Sequence, residues 1–191
     1  MPRAQQIAPI SQNRLLAVIP PEELARLAPH LQRVTLVFKE TLFEAGERIE
    51  FFYFPLNGAI GMIASTENGR SVGVGIVGNE GAADVSVVLG DDISSHRGIV
   101  QLAGSALKLG VVALREELRR DGGLRSVLLR YTRFALAQAT QSAACNRHHS
   151  VEQRCARWLL GMHDRGEPDT FPMTHEFLAY LLGVRRAGVT V

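Results

Sequence analysis

Met173-Thr174-His175-Glu176-Phe177-Leu178-Ala179-Tyr180-Leu181-Leu182-Gly183-Val184-Arg185-Arg186 is the stretch on which the fold of this 191-residue chain turns. Thr174 is a good N-cap, because its side-chain oxygen can accept an orphan amide of the first turn. Phe177, Leu178, Leu181 and Leu182 fall at helical spacing and form one apolar stripe. Gly183 supplies a tight turn, where a residue without Cβ is favoured. Val184 anchors that turn. Arg185, Arg186 and Thr190 then open a second helix, whose first side chains are placed to meet base edges and phosphates. A guanidinium fork matches guanine N7 and O6, or two phosphate oxygens. Thr174 and His175 are placed to touch the phosphate backbone. A plain packing turn with solvated arginines would look the same locally, so the setting in the chain decides.

Upstream, Val151 to Met162 is helical, with Cys155, Trp158, Leu159 and Met162 on one face, and His163 to Phe171 is a polar loop. Before that, Leu124 to Arg147 runs 24 residues without Gly or Pro. Leu124, Leu128, Tyr131, Ala135, Gln138 and Ser142 alternate steps of four and three, a near-heptad seam. Such a helix spans roughly 36 Å at 1.5 Å per residue. That exceeds what a small domain needs to cover its core. The seam reads as a dimerisation helix; the competing reading packs it on its own domain. Ala113 to Asp121 is a short charged helix, broken from the long one by Gly122-Gly123.

The region before it has the period of strands. Val34 to Phe38, Leu42 to Phe54 with a turn at Glu44-Ala45-Gly46-Glu47, Ala59 to Ala64, Ser71 to Val77, Gly98 to Leu102 and Ala106 to Leu109 are β-rich. Pro55-Leu56-Asn57-Gly58 punctuates. Asn68-Gly69 signals a hairpin with a tight primed turn. About eight short strands with turn signals every 8–12 residues describe a β-sandwich or β-roll. Strands and helices do not alternate, so a doubly wound sheet is excluded. A short helix near Asn13–Ile19 and another starting at Pro20-Pro21-Glu22-Glu23 precede the strands.

Composition narrows the function. The chain is 46% hydrophobic and 21% charged, which excludes a disordered protein. It has no run of 18 apolar residues and no apolar stretch at its start, so no membrane span or secretory signal is expected and the default location is cytoplasmic. Cys145 and Cys155 make no disulfide framework and no four-thiolate cluster; Cys145, His148 and His149 are a faint metal pattern only. The net charge of +2 hides an asymmetry: residues 1–114 carry 9 cations against 11 acids, and residues 115–191 carry 12 arginines against 8 acids. A basic C-terminal part is the footprint of a polyanion partner. An enzyme on the β-roll, such as a metal oxygenase, would need two His and a carboxylate converging inside it; the β region has only His96.

The order of these parts resembles the Crp/Fnr family of bacterial transcription regulators. The resemblance rests on a β-roll with Gly46, Gly58 and Asn68-Gly69, a long helix, then Val151-Glu-Gln-Arg-Cys-Ala-Arg-Trp-Leu-Leu and the stretch from Met173 to Arg186. It spans roughly residues 13–191. It implies an α+β fold: an antiparallel β-roll sensor like a cyclic-nucleotide-binding domain (13–121), a dimerisation helix (122–150) and a winged-helix-type helix-turn-helix (151–191). It also implies a homodimer on double-stranded DNA, not an enzyme, with RNA polymerase and an unidentified small-molecule effector as further partners and no membrane. A dimeric ligand-binding module without DNA binding is the alternative. Glu80, Gly81 and Arg97 fall where the family's nucleotide-binding members hold a cyclic nucleotide, within Gly78-Asn79-Glu80-Gly81-Ala82 and His96-Arg97-Gly98. Gly98 replaces the usual serine, and Asp91 and Asp92 place negative charge nearby, so no cofactor is expected. No wing follows the reader helix, and Ala187 stands where the family has an acidic base reader, so the domain reads as truncated.

Overall fold

The computed structural model describes residues 10–166, 170 and 172–189. Five antiparallel strands form one curled sheet: β1 (Leu31–Leu36), β2 (Thr41–Phe43), β3 (Phe51–Ser65), β4 (Ser71–Val77) and β5 (Arg97–Gly110). Their order is β1-β5-β3-β4, with β2 also paired to β5. The strands are fewer and longer than the sequence suggests. Pro55–Gly58 does not end a strand, because β3 and β5 bulge together there: the register shifts between Pro55 and Asn57, between Asn57 and Ala59, and between Ala59 and Ile60. Gly58 takes a φ of +82°, and a Cβ on it would lie 2.6 Å from the Leu102 carbonyl oxygen. The turn residues therefore bend a continuous ribbon instead of closing it.

The hairpin between β3 and β4 also differs from expectation. Gly69 alone has a positive φ, at +79°, and its amide donates to the Thr66 carbonyl at 2.9 Å. The loop is a three-residue turn with glycine in the left-handed position, not a two-residue primed turn.

Among the described residues the α-helices are α1 (Pro21–Leu27), α2 (Val111–Leu118), α3 (Gly123–His148), α4 (Val151–Gly166) and α5 (His175–Leu182). The main core lies inside the curled sheet. Phe52 and Phe54 are fully buried there, edge to face at 5.2 Å. Leu124, Val127, Leu128 and Tyr131 close this core, and the Tyr131 hydroxyl donates to the Ala82 carbonyl at 3.0 Å. The first half of the expected dimer seam thus faces the chain's own roll. Its stripe is apolar because it covers a core, and a heptad pattern does not say which surface covers it. Further along, Ser142 and Cys145 are buried as well, and Ser142 accepts from Arg157 of α4. The large apolar side chains left outside on α3 include Leu129, Phe134 and Leu136, the last 67% exposed.

The start of α3 is fixed from a distance. The Glu23 carboxylate on α1 accepts the amides of Gly123 and Leu124, both at 2.7 Å. It satisfies two of the orphan donors of the helix and places a negative charge at the positive end of its dipole. A Cβ on Gly122 would lie 2.4 Å from a Glu23 oxygen, and one on Gly123 2.4 Å from the Pro20 ring. The glycine pair that breaks the chain between α2 and α3 is also what lets this cap approach.

Candidate nucleic-acid interface

The C-terminal unit is built on a second core. Trp158 and Met162 of α4 and Phe177, Leu178, Leu181 and Leu182 of α5 pack against Ala59, Ile63 and Ile99 of the sheet. Leu159, read from the sequence as part of the inward face, is 39% exposed, because the stripe that meets the second core runs through Val151, Cys155, Trp158 and Met162 and leaves Leu159 at its side. The Trp158 indole donates to the Gln101 side chain of β5 at 2.9 Å, a buried bond that satisfies both groups.

Of the expected helix-turn-helix, the first helix and its glycine turn form as their residues dictate, while the second helix expected from Arg185 is a three-residue 3-10 turn among the described residues. The Thr174 hydroxyl accepts the Phe177 amide at 3.2 Å and caps α5. Gly183 ends α5 with a φ of +65°, and a Cβ there would sit 3.0 Å from Val72 of β4. Glycine is needed twice, for the left-handed turn and for the close approach. An Arg154 Nη of α4 donates to the Leu182 carbonyl at 2.8 Å, a cation set at the negative end of α5. Beyond Gly183, Val184 is half-buried against the second core, while Arg185 and Arg186 are exposed. The chain forms a single tight turn at Arg186–Gly188, closed by the Gly188 amide on the Arg185 carbonyl at 2.8 Å.

Arg185 and Arg186 are thus presented side by side at the C-terminal end of α5. His175 is exposed at the other end, beside Thr174, whose oxygen is engaged in the cap. An eight-residue helix separates the two groups by about 12 Å. Thr190, the remaining candidate, lies outside the described residues.

Glu80 and Arg97 lie in separate contacts, each directed at the C-terminal unit. Glu80 pairs with Arg165 of α4 at 2.7 Å and accepts the Gly78 amide at 3.1 Å. Arg97 pairs with Glu44 at 2.7 Å and donates to the Tyr180 hydroxyl of α5 at 3.2 Å. Those two partners hold the Arg97 guanidinium above its ordinary pKa. Gly81 lies under the Tyr131 ring, where a Cβ would meet the phenol oxygen at 2.2 Å. In the acidic loop, Asp92 is matched by Arg48 at 3.1 Å and Arg115 at 3.2 Å. Sequence reasoning missed Arg154, Arg165, Tyr180 and Gln101, whose partners lie 28 to 85 residues away. No local signal marks them. Among the described residues, no three His, Cys, Asp or Glu side chains are grouped to hold a metal ion, and no helix is long and apolar enough to cross a membrane.

This arrangement is a curled sheet, a long helix, and a short capped helix and turn that present paired arginines. Residues 153–191 match the Crp-like helix-turn-helix domain. Solved structures share the fold over most of the chain. The c-di-GMP-responsive global regulator CLP of Xanthomonas campestris is 16% identical, with 89% of this chain and 88% of that one covered and a TM-score of 0.69. FixK2 of Bradyrhizobium japonicum is also 16% identical, covering 84% of this chain and 81% of that one at a TM-score of 0.64. A protein of Eubacterium rectale assigned to the Crp/Fnr family of transcriptional regulators reaches 0.71, at 12% identity, over 94% of this chain and 84% of that one. No curated protein matches at a significant level. The C-terminal segment thus matches the Crp-like helix-turn-helix model, and the chain shares its fold with these regulators.

Proposed function

We propose that this protein is a transcription regulator that binds duplex DNA as a homodimer. The observation that carries the reading is the exposed pair Arg185 and Arg186, set immediately after a capped helix and a left-handed glycine within the Crp-like domain. Arg185 and Arg186 meet base edges and phosphates in the major groove, and His175 and Thr174 touch the sugar-phosphate backbone, with Thr190 extending the reader.

The dimer uses the outer face of α3. Leu129, Leu136 and Ala143 recur every seven residues there and are exposed. Leu136, Ala137, Thr140 and Ala144 border a shallow groove of about 430 Å³. Small residues beside leucine allow a second α3 to approach closely. The roll senses a signal other than a cyclic nucleotide held by Glu80, Gly81 and Arg97. Support for this comes from the two charged groups, each already matched within the chain.

Selection from random duplexes tests the function. The expected product is an inverted pair of half-sites about 34–36 Å apart, one turn of the double helix. A pool that shows no enrichment at low salt contradicts the reading.

A further inference from the structure

A cleft of about 660 Å³ lies between the second half of α3, α4 and the edge of β4. That volume is within the roughly 300–1,000 Å³ range of small-molecule sites. Its walls are unusually rich in side-chain amides, including Gln138 and Gln141 of α3 and Gln153 of α4. Arg154 and Arg157 also line it. They lie three apart on α4, on one helix face. Among the described residues neither has a carboxylate within salt-bridge distance. Each donates instead to a neutral oxygen, Arg154 to the Leu182 carbonyl and Arg157 to the Ser142 hydroxyl, both at 2.8 Å. The Nε of Arg154 is buried without a hydrogen-bond partner among the described residues. Asp164 lines the cleft too but lies within salt-bridge distance of neither, so two cations on one helix face, one with an unsatisfied buried donor, face the cleft without an ion pair among the described residues.

We infer that this cleft binds a small organic anion, its phosphate or carboxylate head on Arg154 and Arg157 and its polar body against the glutamine amides. A planar guanidinium fork accepts either head, and amides supply both donors and acceptors to the rest. Trp158 forms part of the wall, with its own N–H already bonded to Gln101. Because α3 and α4 are joined at His149–Ser150, such a ligand bridges the two helices across their hinge. The inference stands whether or not the reader binds DNA.

Trp158 is the single tryptophan of the chain, so its fluorescence reports on the cleft directly. The full chain is titrated with ribose 5-phosphate, with citrate, and with potassium chloride at matched ionic strength. A saturable change with either anion, absent with the chloride, is the expected result, and the tighter of the two identifies the head. Arg154→Gln weakens it at least tenfold. Since Arg154 also holds the end of α5, Gln141→Glu serves as the second variant. It sits on an exposed helix position, places a carboxylate in the cleft, and weakens binding at least tenfold with an unchanged melting curve. A response no different from chloride, or saturation unaltered in Gln141→Glu, overturns the inference. Protection of Arg154 and Arg157 by duplex DNA but by neither small anion overturns it too, and assigns them to the DNA surface.

Discussion

Arg165 and Glu80 are 85 residues apart in the chain, yet the guanidinium Nε and Nη2 both reach one Glu80 oxygen, at 2.8 and 2.7 Å. The pair is largely shielded from solvent and ties α4 to the loop that follows β4. With the Arg97–Tyr180 bond and the Trp158–Gln101 bond, it makes the helix-turn-helix and the roll one packed body. Arg165→Ala leaves Glu80 without its cation. It is expected to destabilise the chain by about 1–2 kcal/mol, less than a fully buried pair because both groups keep some exposure. Hydrogen exchange should show faster opening of α4 and α5 with the sheet unchanged; uniform protection would contradict the tie.

Glu23→Ala removes the acceptor for two amides at the start of α3. Leu124 is fully buried, so its N–H gains no water in exchange. The expected cost is about 2–3 kcal/mol in denaturant unfolding. Gln at position 23 retains one acceptor and should cost less. Equal stability of the alanine variant and the parent would show that α3 does not depend on this cap.

The two faces of α3 are separable by mutation. Leu128→Ala opens a cavity in the roll and should cost about 2–5 kcal/mol without changing assembly. Leu136→Glu charges the outer face and should yield monomers in sedimentation while the helical circular dichroism is kept. Dimers persisting in Leu136→Glu would move the subunit contact elsewhere.

Burial pushes the His96 imidazole below its ordinary pKa, against the opposing pull of Asp84, whose oxygen is 4.0 Å away. Its ring packs edge-on to Phe43 at 5.9 Å. With the folded value below the unfolded one of about 6.5, the unfolded chain takes up the proton first on acidification. This contribution to stability is complete above about pH 6.5 and is lost as pH falls through the folded value. Melting temperatures across that range should fall less steeply for His96→Gln than for the parent; parallel slopes would exclude His96 as a source.

Much of this was readable from local pattern. The Thr174 cap, the Gly183 turn, the Asn68-Gly69 hairpin site, the glycine break before α3 and the order roll–rod–reader all follow from residues within a few positions of one another. Whatever depends on distant partners was not readable. Pro55–Gly58 looks like a turn until β5 is seen to bulge with it. The Leu124–Leu128–Tyr131 stripe looks like a subunit seam until the roll is seen to cover it. Glu80 and Arg97 have partners that no local pattern announces, Arg165 for the one and Glu44 and Tyr180 for the other. Periodicity identifies an apolar face and charge identifies a reactive side chain, but the fold alone supplies the surface each one meets.

The proposed binding of duplex DNA by Arg185 and Arg186 is tested most directly by its salt dependence. Affinity of the parent for a selected duplex should fall steeply and linearly on a logarithmic salt axis. Arg186→Ala should cost about 1–3 kcal/mol if the guanidinium reads a base, and Arg185→Ala should reduce the salt slope by about one if it holds a phosphate. Affinity and slope unchanged in both variants would contradict the account.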